Sequence, residues 1–467
     1  MNKTKKFKGL RMFATTLAVV FMSSSYAFAA PNENSAKAFD QKVISTISAD
    51  RALEHIRYLS EEIGPRVAGT DEEIMAREYI KNEFTKYGYQ PEIQEFDISN
   101  VVTKLAIDSL GNKEMKANAA TGSGHTTENG LTTTVVDCAL GATSSDFPES
   151  VMGNIALIQR GGASFSEKAM NAAAAGAAGV IIYNNVDEAL NATLGDYVSP
   201  IPVLTISKAD GELLLNEMKD KEVIATINAR VTTKSWNVTA KIEPKNKNKA
   251  TDGIVYVTSH LDSVPYAPGA NDNASGTGML LEFARVLKSF PIDKEVRFVV
   301  CGAEEIGLIG SKYYVSTLSQ DEIARSVANF NMDMIATSYE PCTTLYASTV
   351  DGKSNLVTDY AIEAAARLNN NVVRVNYSKS SDHAPFGDAG IPAAGFIWGD
   401  DQAKLEPWYH TPQDTIAQNI SVERLQQAGE IVGAALYSAI RVQTPNLVNK
   451  PTNFNVMNQV YDLGIAQ

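Results

Sequence analysis

Residues 295–311 read EVRFVVCGAEEIGLIGS. The first seven are mostly β-branched or aromatic, the composition of a buried strand. Cys301 ends that run and reads as a core thiol. Glu304 and Glu305 follow among Gly302, Gly307 and Gly310, which let the backbone bend sharply. Paired acids at a strand end are usually a solvated turn. After so sharp a bend, adjacent side chains diverge, and one can ligate a metal while the other faces water.

Around this stretch strands and helices alternate. Strands are expected at 236–243, 253–259, 295–301, 327–332, 343–347, 372–376 and 393–397, and helices at 275–289, 308–317, 353–368 and 421–441. Such alternation specifies an α/β domain with a mixed, mainly parallel sheet flanked by helices. Ligand sites of such sheets gather beyond the carboxyl ends of the strands, and the chemistry-bearing residues sit there. His260 follows GIVYVTS, with Asp262 placed to receive its other ring N–H. Asp272 lies in the turn GANDNASG (269–276), either as a helix N-cap or as a carboxylate shared by two metals. Asp333 ends SVANFNM beside Met332 and Met334, where a carboxylate is costly unless paired. Tyr409 and His410 fall in a loop before the last helix. Tyr409 is there either for packing or as a donor to an oxyanion.

The charge balance suits two divalent ions. Asp272, Glu305, Asp333 and a bridging hydroxide would neutralise them, leaving Glu304 as proton carrier. Mixed imidazole and carboxylate ligands favour zinc, with cobalt or manganese as substitutes, over magnesium or calcium.

The chain has 467 residues, room for two or three domains. Residues 1–29 read as a signal peptide: five basic residues, an apolar run from Met12 to Met22, and the cleavage site Ala27-Phe28-Ala29. That run is too short to span a bilayer, and no Cys near the site suggests a lipoprotein. The expected product is secreted and extracellular. Losing five basic and no acidic residues moves the formal charge from −13 to −18. This disfavours nucleic acid and anionic membrane surfaces. Three cysteines, an odd count, argue against a disulfide framework and leave room for one bridge at most.

Residues 30–45 form a polar arm or pro-segment. Residues 46–100 and 232–445 make up the catalytic unit, and 446–467 a C-terminal tail. Between its halves, residues 101–231 turn rich in Thr, Gly, Ala and Val. Gly153 to Asn185 reads as strand, Gly turn, Ala-rich helix, strand. This block resembles a protease-associated (PA) domain. It is expected to be a small β-rich unit beside the active-site mouth, joined by two chain crossings and dispensable for metal binding.

The motifs HLD (260–262), NDNASG (271–276), EE-x-GL-x-GS (304–311), N-x-D at Asp333 and YHT-x-x-DT (409–415) resemble the M28 family of zinc peptidases, in secreted bacterial aminopeptidases of the PA-containing type. The resemblance implies that His260 and Asp333 bind one zinc, Glu305 and His410 the other, and that Asp272 bridges them through a turn with a cis Asp272–Asn273 bond. It makes Glu304 the general base and then acid, and Tyr409 the oxyanion donor. Asp262 orients His260, and Asp414 supports the His410 loop or caps a turn. Ser381, Asp382 and His383 fall near the substrate pocket. The implied substrates are peptides with a free N-terminus, taken by a monomer. Three rivals share parts of the pattern. A glutamate carboxypeptidase-like enzyme normally carries a large helical domain after the last His, where this sequence has about 57 residues. A glutaminyl cyclase lacks the PA block. A receptor-like binding protein would be expected to lose ligands or Glu304.

Overall fold

The computed structural model describes residues 40–127, 129–187 and 190–441. The signal segment, residues 30–39 of the arm and the tail lie outside them. Residues 40–44 are helical, and the buried Asp40 carboxylate pairs with Arg367 at 2.5 Å. Helices Ala49–Arg57 and Asp71–Lys86 begin where Ser48 and Thr70 accept backbone N–H groups, the usual N-cap arrangement.

Strand β1 (Glu92–Ile107) leaves these helices for the PA unit. That unit contains β2 (Lys113–Met115), β3 (Asn118–Ala119), β4 (Leu131–Asp137), β5 (Ile155–Gln159), β6 (Gly179–Tyr183) and β7 (Val203–Ile206). Strand β8 (Ile224–Ile242) returns to the catalytic unit. There follow β9 (Ile254–His260), β10 (Glu295–Cys301), β11 (Ser326–Met332), β12 (Thr344–Thr349), β13 (Val373–Tyr377) and β14 (Ala393–Gly399).

The catalytic sheet runs β13-β12-β14-β11-β9-β10-β8-β1. Its centre, β14-β11-β9-β10, is parallel throughout, while β12 runs antiparallel to β14 and β8 antiparallel to β10. Every residue of β9 is buried, as a strand covered on both faces requires. Val255 and Val257 join Val296, Phe298 and Val300 under helices Gly276–Leu287 and Val422–Ile440. Ile254, Tyr256, Val299 and Cys301 face the other way, against Tyr314, Leu318 and Phe386. All three cysteines are free and buried.

The two crossings into the PA unit are strands rather than linkers. Strands β1 and β8 pair from Glu92↔Thr239 to Ile107↔Ala225, with one register shift between Asp97 and Asn100. The ribbon therefore belongs to the catalytic sheet at one end and to the PA unit at the other. The PA unit packs its own aliphatic clusters, one around Leu157, Ile181 and Ile227, another around Ile158, Val180 and Ala172.

Candidate metal centre

Four adjacent parallel strands deliver the site residues to one edge. β9 ends on His260, β10 runs into Glu304 and Glu305, β11 into Asp333, and β14 into the loop carrying Tyr409 and His410. Several of these turns contain left-handed backbone: Ala303 (φ 54°), Leu308 (φ 58°), Met334 (φ 60°) and His410 itself (φ 56°). Non-glycine residues adopt this region rarely and at a cost. The glycines of the Glu304 turn serve partly another purpose. A Cβ on Gly302 would lie 2.5 Å from the Trp236 carbonyl oxygen, and one on Gly310 2.4 Å from Asn237 Oδ1. Both permit close approach to β8.

Asp272 lies between the two imidazoles. Its Oδ1 is 3.4 Å from His260 Nε2 and its Oδ2 is 3.2 Å from His410 Nε2. Glu305 Oε2 is 3.0 Å from His410 Nε2, and Asp333 Oδ1 is 3.4 Å from His260 Nε2. Glu304 Oε2 stands further off, 4.0 Å from His260. Donor atoms of His260, Glu304 and Asp333, and of His260, Asp272 and Glu305, fall within 4.8 Å of one another. Glu305 Oε1 is buried without a hydrogen-bond partner, as suits an atom with a cation to bind. The N-cap reading of Asp272 does not hold: the following helix starts at Gly276, behind a wide turn over Ala270–Ser275. The Asp272–Asn273 bond is cis.

The electrostatics fit a cation site. Burial holds the Glu304 carboxyl well above the ordinary range, with Glu305 and Asp333 adding to the effect against His260. Burial, with Asp272 beside it, lifts Glu305 to about 7. Burial disfavours charge on His410, but the Asp272 and Glu305 carboxylates against its ring outweigh it and raise the imidazole to about 10. The cluster thus draws positive charge wherever it can. The Tyr409 ring stacks on His410 with centroids 3.7 Å apart. Burial and the surrounding carboxylates keep its phenol protonated, a donor. Tyr409 lines the cavity with the six residues, Met334, Ile397 and Leu405.

The supporting residues act through contacts that the sequence does not specify. His260 Nδ1 meets the backbone carbonyl of Asp262 at 3.1 Å, with its carboxylate at 3.6 Å. That carboxylate accepts the N–H groups of Glu304 and Glu305, each at 3.2 Å. Asp414 accepts from the backbone of Asn271 (2.9 Å) and Asp272 (3.0 Å), so it braces the Asp272 turn. Ser381 donates to Asp333 Oδ2 at 2.7 Å. Ser381 and His383 line an adjoining cavity with Tyr346, Asn376 and Trp398. Asp382 lines neither cavity. It is wholly buried, burial raises its pKa to about 7, and neither oxygen has a hydrogen-bond partner among the described residues. Sequence reasoning also missed Arg66. Fully buried, it donates to the carbonyls of Leu59, Gly64, Leu261, Pro268 and Gly269. No sequence pattern marks an arginine whose hydrogen-bond partners are all main chain.

The chain is 45% identical to the Aminopeptidase YwaD of Bacillus subtilis (strain 168) over 406 residues, 86% of this chain and 87% of that one. The chain belongs to peptidase family M28. The family profile matches residues 237–436, and a PA domain profile matches residues 131–214. Among solved structures, the M28 chain described here resembles BSAP, a zinc aminopeptidase from Bacillus subtilis, with TM-score 0.63, 43% identity, and coverage of 86% of this chain and 97% of that one. An aminopeptidase from Aneurinibacillus sp. strain AM-1 matches with TM-score 0.60 and 40% identity over 89% and 99% of the two chains.

Proposed function

We infer that this M28 peptidase is a secreted aminopeptidase that removes N-terminal residues from peptides at a two-zinc centre. One observation carries the reading: the Asp272 oxygens are divided between the two imidazoles. A carboxylate so placed suits two cations, with His260 and Asp333 holding one and Glu305 and His410 the other. Its relatives' zinc and aminopeptidase names support the same reading.

Zinc, when bound, supplies Lewis acidity that lowers the pKa of water and polarises the scissile carbonyl. The chain's own residues do the rest. Glu304, buried beside but apart from the closest pairs, takes the proton of the attacking water and returns it to the leaving amine. Tyr409 donates to the developing oxyanion. Asp262 holds the backbone of both glutamates, Asp414 holds that of Asp272, and Ser381 orients Asp333. With its second nitrogen on the Asp262 carbonyl, His260 keeps Nε2 free as a ligand.

A panel of aminoacyl-p-nitroanilides and their N-acetyl counterparts, with and without chelator, tests this. Hydrolysis of the free-amine substrates alone, lost on chelation and restored by zinc, is expected. Release of C-terminal residues from a hexapeptide would favour the carboxypeptidase rival instead. Secretion predicts a protein in the medium that begins at Ala30.

A further inference from the structure

The loop joining His260 to Asp272 is held at both ends of its reach. Its root is bolted by Arg66, whose guanidinium donates to the carbonyls of Leu261 (2.8 Å), Pro268 (2.6 Å) and Gly269 (3.0 Å). Ser263 Oγ donates to the Ala267 carbonyl at 3.2 Å and closes the tip into a small ring. At that tip Tyr266 takes a left-handed conformation, φ 68°, and projects into the PA unit. Its hydroxyl accepts the Ala117 N–H at 3.0 Å and lies 3.3 Å from the Ala117 carbonyl oxygen. Ala117 is 1% exposed.

The place of the PA unit follows from the register. Strand β8 runs antiparallel to β10, with Val238 opposite Val300 near the carboxyl end of β10. Earlier residues of β8 therefore continue past the sheet edge where the metal cavity opens. The ribbon that carries the PA unit out has its register shift just there, between Asp97 and Asn100. A bulge in a two-stranded ribbon bends the strand and increases its local twist. Among the described residues no PA side chain lines the metal cavity, so a substrate confined to that cavity does not meet them. A longer peptide leaving the cavity does.

We propose that Tyr266 is a positioning residue: it tethers the PA unit to the His260–Asp272 loop, fixes the unit's stance over the cavity mouth, and so governs the handling of peptides longer than the cavity holds. The proposal rests on the aminopeptidase reading above for its substrates. Because Arg66 secures the loop root separately, releasing the tip frees the PA unit without disturbing the metal ligands.

The test is Y266F in the full chain, which removes one oxygen and keeps the ring. Steady-state kinetics are measured on an aminoacyl-p-nitroanilide and on a hexapeptide with the same first residue. KM for the hexapeptide should change by about threefold or more, the scale of one or two hydrogen bonds. Anilide kcat, anilide KM and zinc content should stay within twofold of the parent. An unchanged hexapeptide KM overturns the proposal. Equal losses on both substrates together with lost zinc also overturn it, since Tyr266 would then be holding the metal loop itself. Spin labels at E149C and K312C give a readout that needs no substrate. Their distance distribution should broaden in Y266F, and an unchanged distribution counts against the tether. If the parent protein fails to cleave free-amine anilides, the aminopeptidase reading falls, while the label distances still decide the tether.

Discussion

The carboxyl edge of the catalytic sheet and the interior of the PA unit bury opposite kinds of side chain. Beneath the edge, Arg66, Glu73, Asp262, Asp382, Glu406 and Asp414 are all under 4% exposed. In residues 101–231, Lys168 is the only charged side chain buried among the described residues, and its two core clusters are apolar. Buried charge costs stability unless compensated. The edge concentrates that cost where cations and reacting groups make use of it, and the PA unit avoids it. Substitutions at the edge should therefore register first in chemistry and metal affinity, and substitutions in the PA unit's core in stability, with anilide turnover unaltered.

The largest expected effect is at Glu304. E304Q keeps volume and metal ligands but cannot shuttle a proton, so kcat should fall by about 10⁴-fold, the upper end for a general base, with zinc content unchanged. Near-normal turnover would remove Glu304 from its role. Next comes Asp414, which touches no proposed metal ion. D414A leaves the Asn271 and Asp272 amides without their acceptor, and zinc affinity should drop by about 10–100-fold in a chelator competition. Unchanged affinity would mean that the Asp272 turn holds itself.

On the other side of the comparison stands Lys168. Its ammonium donates to the carbonyls of Leu140 and Gly161. K168M strands both acceptors and should lower stability by about 1–3 kcal/mol in denaturant melts, with anilide kcat unaltered. A fall in kcat would show the two regions to be functionally continuous. The smallest effect concerns Glu73, which accepts from the Gly69 N–H and Ser235. Burial, with Asp262 nearby, raises its pKa to about 8. Between about pH 4.5 and 8 the folded state keeps this proton and the unfolded state releases it, so stability falls as pH rises through that window. E73Q lacks the effect. Its Tm relative to the parent should rise by about 1–3 °C from pH 5 to pH 8, and a constant difference would show Glu73 to be ionised in the fold.

The sheet and part of the site cluster were legible because some of its residues lie at or just past the end of a buried strand: His260 ends β9 and Asp333 follows β11, whereas Asp272 and His410 sit in loops that only their motifs mark. Periodicity marks the strand, and the polar residue after it marks the edge. The supporting groups were hidden because their partners are distant main-chain atoms: Asp414 reaches the Asp272 amide across 142 positions, and Arg66 reaches five carbonyls. The composition change near residue 101 was visible, but it falls inside β1. The register shift between Asp97 and Asn100 changes the alternation there, so the strand does not show in the sequence as one continuous period. For the same reason the PA unit, read as attached by crossings, is continuous with the sheet.

The central claim is that Asp272 joins two zinc ions. A crystal of the zinc-loaded protein, with anomalous maps on either side of the zinc edge, tests it directly. The account predicts two peaks about 3.5–4 Å apart, one beside His260 and Asp333, the other beside Glu305 and His410, with an Asp272 oxygen toward each. A single peak, or peaks away from Asp272, would contradict it.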